Sequence, residues 1–176
     1  MNDEIKVYRD VLEKEQFDKI YQHITDKNFW WRSSSVVADE EYNDSLHSKY
    51  NIQFVHTALQ KNGVVDPDFL NLIEPIMDFL KIRSPMRVKV NLVCRTDEIL
   101  IHGFHEDLTK EKSWNGECKS AVFYLNDCDG YTIFKESGMK VKSESNKVVV
   151  FPVELEHSGT TCTDKSIRLA INFVYF

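Results

Sequence analysis

No stretch of this sequence is apolar enough to cross a bilayer as a helix. The longest apolar run, Val148 to Val153, is interrupted by Pro152 and falls far short of the ~20 residues a span requires. The N-terminus, MNDEIKVYRD, is acidic and lacks the apolar core of a secretory leader, so a cytoplasmic setting and no membrane partner are expected. Positive charge is not in excess. Twenty-two Lys and Arg against 28 Asp and Glu give a net charge of −6, which offers no electrostatic case for a nucleic-acid partner. No C-x-x-C pair is present. Cys94, Cys118, Cys128 and Cys162 are scattered, and without a leader they are expected to be free thiols. Repeats and low-complexity tracts are also missing. What remains is ordinary globular composition, 42% hydrophobic and 28% charged, over 176 residues. That excludes collagen-like and wholly disordered chains, suits one domain over 1–176, and is enough to bury a core without a disulfide or a metal.

The chain divides near residue 85. Before it, Phe17, Ile20, Tyr21 and Ile24 share one face of a helix over about 13–25. Asp66-Pro67 signals a second helix start, with Leu70, Ile73, Met77 and Leu80 as its buried stripe and Pro75 as a kink or the true start. Alternation at Ile52, Phe54 and His56 predicts a strand between the helices, and the acidic segment 39–49 predicts a loop. From residue 86 the period becomes two: Met86, Val88, Val90, Leu92 and Cys94 alternate with Arg87, Lys89, Asn91 and Val93. Further strands are expected at 98–105, 118–126, 131–135, 139–142, 147–152 and 167–176, the last too apolar for an edge. This is an α+β, mainly β pattern, a sandwich or jelly roll with helices covering one outer face.

Phe104-His105-Glu106-Asp107 is the stretch that points to chemistry. On a strand, i and i+2 share a face, so His105 and Asp107 present an imidazole and a carboxylate side by side. If residue 107 lies past the strand end, Glu106 is the competing carboxylate. His157, shortly after the apolar strand and in a turn-like setting, is the best third ligand. His102, three residues before His105, faces the other side of a regular strand. Two histidines and one carboxylate with open positions opposite form a non-haem Fe(II) arrangement. Arg168, among Leu169, Ile171 and Phe173, needs an anionic partner if it points inward. A bland alternative is a β-sandwich binding module whose H-x-D is accidental.

Taken in order, His105-x-Asp107, Phe123-Tyr-Leu-Asn-Asp127, Gly130-Tyr-Thr-Ile-Phe134, Asn146-Lys-Val-Val-Val-Phe-Pro152, His157-Ser-Gly159 and Arg168 resemble the Fe(II)- and 2-oxoglutarate-dependent dioxygenases, particularly their prolyl-4-hydroxylase-like branch. The resemblance covers residues 86–176. It implies a double-stranded β-helix as catalytic core, with 1–85 as a supporting region. Its implied metal ligands are His105, Asp107 and His157, with His105 and Asp107 on an early core strand. Arg168 and Tyr124 would bind the distal carboxylate of 2-oxoglutarate. Fe(II), 2-oxoglutarate and O2 are the implied cofactors. The implied activity is hydroxylation of a prolyl or related residue in a peptide or protein, or else of a small molecule such as a free amino acid. Segments 28–50, with Trp30 and Trp31, and 108–118, with Trp114, are candidates to line the substrate groove. Asp129 stands where the family often has glycine, and Asn91 or Arg95 replaces a tyrosine found in several relatives.

Overall fold

A computed structural model describes residues 5–34, 52–108 and 117–176. The loop expected at 39–49 and Trp114 lie outside the described residues. The strands are β1 (Lys6–Tyr8), β2 (Arg32–Ser34), β3 (Gln53–Gln60), β4 (Gly63–Val64), β5 (Pro85–Cys94), β6 (Lys119–Tyr124), β7 (Tyr131–Phe134), β8 (Lys140–Lys142), β9 (Lys147–Pro152), β10 (His157–Gly159) and β11 (Ile167–Tyr175). The helices are α1 (Lys14–Thr25), α2 (Pro67–Leu72) and α3 (Glu74–Leu80). The large antiparallel sheet runs β1-β9-β6-β11-β5-β3-β2, with β4 paired to β3, and the small sheet runs β10-β7-β8. β11 is central, as its apolar sequence requires.

Period-two alternation sorts the two faces of the large sheet. Val88 and Val90 of β5 and Leu169, Ile171 and Phe173 of β11 turn outward and pack under the helices with Ile20, Ile24, Phe69, Ile73 and Ile76. The opposite face meets the small sheet, where Val122, Tyr124, Phe134, Val149 and Phe151 form a second core. The polar partners in the alternation, Arg87, Lys89 and Asn91, line the space between the sheets. A polar row on a central strand therefore marks an internal cavity and not a solvated face.

The expected second helix is two. Ile73 leaves helical geometry (φ −95°, ψ 5°) just before Glu74-Pro75, because Pro75 has no amide to donate to the Asn71 carbonyl and its ring would clash there, so the helix restarts with the proline in its first turn. The buried positions are Phe69, Ile73 and Ile76, and Leu70, Met77 and Leu80 are only partly covered. Asp66 caps α2, its carboxylate accepting from the Phe69 amide at 2.9 Å, a contact worth ~1 kcal/mol.

In β3 the buried residues are Gln53, His56 and Ala58, while Ile52 is exposed. The His56 ring is fully buried among Phe29, Trp30 and Phe69. Burial pushes its pKa down, outweighing the Trp30 carbonyl and the Asp66 carboxylate, whose oxygen lies 3.1 Å from Nε2. The unfolded chain takes up a proton below pH ~6.5 that the folded chain resists, so stability falls as pH drops through that value towards the depressed folded one. Urea unfolding at pH 7.5 and 5.5 should show a smaller acid loss for His56→Phe than for the wild type.

Segment 98–105 departs from expectation. It is not a ladder strand; isolated bridges at Ile101–Thr160 and His105–His157 tie it along β10 and the residue that follows. The His102 amide donates to the Gly159 carbonyl and the His105 amide to His157, so three steps on one side face two on the other. One extra residue, as in a β-bulge, is inserted between them. His157 in turn starts β10 and is not in a turn. With 101–107 beside β10, the small sheet gains a fourth, irregular member.

Candidate metal centre

The site is assembled from that irregular edge. His105 and His157 exchange backbone hydrogen bonds, 3.0 Å in both directions. Directly opposed residues of an antiparallel pair project to the same face, and the two imidazole centroids are 4.6 Å apart. Each ring is oriented by its own backbone. His157 Nδ1 lies 2.9 Å from the Leu155 carbonyl and His105 Nδ1 3.3 Å from the Gly103 carbonyl. Carbonyls accept only, so both Nδ1 atoms carry the proton and both Nε2 lone pairs are left to bind a metal. Burial drives the His157 pKa down, with Asp107 opposing, which keeps that ring neutral.

Asp107 closes the group. One atom from each of His105, Asp107 and His157 lies within 4.8 Å of the others. Glu106 lines the same cavity but is outside this cluster. The Asp107 carboxylate is held by Arg87, by Ser120 Oγ at 2.5 Å and by Asn172 Nδ2 at 3.5 Å. Burial alone would raise its pKa, but Arg87, His157 and Ser120 outweigh it and hold the carboxyl well below its usual range. It is ionised and pre-aimed. Two imidazole nitrogens and one carboxylate oxygen are a donor set suited to ferrous iron.

Arg168 enters from the large sheet and is 6% exposed. Its side chain passes two glycines. A Cβ on Gly130 would lie 2.8 Å from Arg168 Cδ, and one on Gly159 would lie 3.3 Å from Nη1. Nη2 donates to Thr132 Oγ1 at 3.2 Å, while the buried Nε has no partner. Tyr124 is fully buried, its ring 5.6 Å from the guanidinium carbon. Its hydroxyl donates to Thr132 Oγ1 at 2.8 Å, and burial pushes its pKa up to about 12. Tyr124 is not among the cavity-lining residues, whereas Thr132 is. Thr132 thus accepts from Arg168 and Tyr124 and keeps its own proton to donate into the cavity.

The cavity joining these groups measures ≈ 230 Å³. Asn91 lines it, with a buried Oδ1 that has no partner, while Arg95 is exposed. His102 lines it too, because the extra residue in the bulge turns it to the side of His105. Asp129 ties its turn down by accepting from the Thr163 amide at 2.8 Å. Arg87, Lys89, Ser120, Thr132 and Asn172 are not identified as site residues from sequence. The available signal was the polar alternation along β5, on a strand too central to face water. No described helix is long and apolar enough to cross a membrane.

Solved structures share this arrangement of strands. A Trichoplax adhaerens prolyl hydroxylase in complex with a hypoxia-inducible-factor peptide fragment matches over 98% of this chain and 83% of its own, with TM-score 0.69 and 12% identity. The fold is that of the 2-oxoglutarate- and Fe(II)-dependent oxygenases. A Pseudomonas putida prolyl-4-hydroxylase matches over 97% of this chain and 91% of its own, with TM-score 0.62 and 15% identity. HygX from Streptomyces hygroscopicus, bound to nickel and 2-oxoglutarate, matches over 98% and 82%, with TM-score 0.60 and 11% identity. No protein-family model and no curated sequence matches the chain. The double-stranded β-helix expected from the motifs is therefore the fold, with its helices on the outer face of the large sheet.

Proposed function

We propose that the chain is a 2-oxoglutarate- and Fe(II)-dependent hydroxylase, a single catalytic domain acting on a prolyl or related residue of a peptide or protein. The observation that carries this is the convergence of two imidazole nitrogens and one ionised carboxylate within 4.8 Å, in one cavity with a buried, half-partnered arginine. His105, Asp107 and His157 would hold the iron. Bound there with 2-oxoglutarate and O2, iron supplies the oxidising power to hydroxylate a C–H bond, with release of succinate and CO2.

The protein's own residues bind and orient. Arg168 pairs with the distal carboxylate of 2-oxoglutarate through charge-assisted hydrogen bonds. Thr132 donates to the same group, and Tyr124 holds Thr132 in place. Leu155 and Gly103 fix the imidazole tautomers, and Arg87 and Ser120 fix the Asp107 carboxylate. A second, larger groove of ≈ 860 Å³, lined by Leu59, Val64, Met86, Leu108 and Val174, meets the metal cavity at Arg87 and Asp107. It is mainly apolar and leads to the ligand group, which favours an extended peptide over a free amino acid. Four free cysteines suit a reducing, cytoplasmic setting.

The test is spectroscopic. Anaerobic protein with Fe(II) and 2-oxoglutarate should give a visible metal-to-ligand charge-transfer band. Saturating Mn(II) with 2-oxoglutarate should raise the melting temperature, since a ligand at 100 times its Kd adds about 2.7 kcal/mol. Absence of both effects in folded wild-type protein refutes the reading.

A further inference from the structure

β5 carries more positive charge into the cavity than the proposed reaction uses. Its cavity row is Arg87, Lys89 and Asn91, each two residues from the next. The Lys89 side chain is half-buried, and no hydrogen bond or ion pair holds its ammonium among the described residues. Burial pushes its pKa down to about 8, Arg87 adding to the effect and Asp107 opposing it, so it remains mostly protonated at neutral pH. A half-buried cation held only by the field of Asp107 gains from an anionic partner.

The ligands already assigned do not supply one. Val93 lies opposite Arg168 and Lys89 lies opposite Asn172 in the β5–β11 register. Lys89 is therefore four residues along the strand from the Arg168 row, roughly 13 Å at ~3.3 Å per residue. A five-carbon diacid would have one carboxylate committed to Arg168 and its other end to the metal, leaving neither as a dedicated partner for Lys89. Charge balance agrees. The three carboxylate charges of Asp107 and 2-oxoglutarate are matched by the ferrous ion and Arg168. Arg87 is already paired with Asp107, and Lys89 brings the cations to one more than Asp107, 2-oxoglutarate and Glu106 balance among the described cavity-lining residues. Arg87 also lines the apolar groove, so the surplus sits where groove and metal cavity meet.

Resting on the functional reading above, we propose that the substrate is an acidic peptide, with a carboxylate or phosphate side chain next to the residue that reacts, and that Lys89, assisted by Arg87, binds this group. Lys89 is a substrate-selecting residue in this scheme and takes no part in holding 2-oxoglutarate.

The experiment uses the full chain loaded with Mn(II) and 2-oxoglutarate, which gives no turnover. Uptake of 2-oxoglutarate by the wild type is measured first and tests the functional reading by itself. Calorimetry then compares acetyl-Asp-Pro-Asp-amide, its phosphoserine counterpart and acetyl-Asn-Pro-Asn-amide. At least one anionic peptide is expected to bind tenfold or more tighter than the neutral one, and which of the two does so distinguishes carboxylate from phosphate. Lys89→Met should reduce that preference to less than twofold, Lys89→Arg should keep it, and both should bind 2-oxoglutarate within twofold of wild type. Equal affinities, no binding by any of the three, a preference that survives Lys89→Met, or loss of 2-oxoglutarate affinity in Lys89→Met would each overturn the proposal.

Discussion

Asp107→Ala is expected to lower Mn(II) and Fe(II) affinity by more than ~100-fold, beyond what loss of an outer partner costs a metal site. Asp107 contributes the only carboxylate in the ligand group among the described residues, and its side chain is 3% exposed. No other carboxylate among the described residues joins that group. Glu106 shares the cavity but stands outside the cluster, so Glu106→Gln should bind metal within threefold of wild type. Electron paramagnetic resonance titration of free Mn(II) reads both variants directly. The opposite pattern, with Glu106→Gln losing the metal and Asp107→Ala retaining it, would transfer the ligand role to Glu106.

Arg168→Met should leave metal affinity unchanged and weaken 2-oxoglutarate by about 10- to 100-fold, the range expected when a hydrogen-bonded charge pair worth ~1.5–3 kcal/mol is removed. Gly130→Ala offers a second route to the same effect without touching the cation. Its new Cβ would meet the Thr161 carbonyl oxygen at 2.7 Å as well as Arg168 Cδ at 2.8 Å, and the guanidinium must move. Calorimetric titration of the Mn(II)-loaded variants with 2-oxoglutarate measures both losses. An Arg168→Met variant with wild-type affinity would remove this residue from the cosubstrate site.

Strands and ligands differ in how far the sequence reveals them. β5 and β11 announce themselves because a half-buried strand must alternate, and β6 and β9 because strands buried on both faces must be apolar. His105 and Asp107 share a face as i and i+2 on an extended chain should, although 98–105 forms no regular ladder, and His157 joins them through its backbone pairing with His105, which no local spacing reveals. His102 stays outside the ligand group as its spacing implies, but it lines the cavity all the same, since period two holds only while each residue faces one partner and the inserted residue breaks the count. Thr132 gave no signal of its own. A threonine on a strand is ordinary, and only the approach of Arg168 from 36 residues away makes it part of a site. Arg87 and Lys89 were hidden differently: their alternation was seen, but a polar row looks the same whether it faces water or a cavity. The neighbours of β5 decide between the two, and they are set by long-range pairing.

The central position of β11 also bears on how the protein is made. During synthesis β5 and β6 leave the ribosome well before the strand that must lie between them. Until residues 167–175 emerge, each keeps an open edge of unpaired amides and carbonyls, the kind of edge on which chains stick to one another. Both histidines and the aspartate exist by then, but Arg168 and Asn172 do not. A nascent chain thus carries the candidate ligands without the wall that gives them a chamber, and any metal loading is left to the finished sheet.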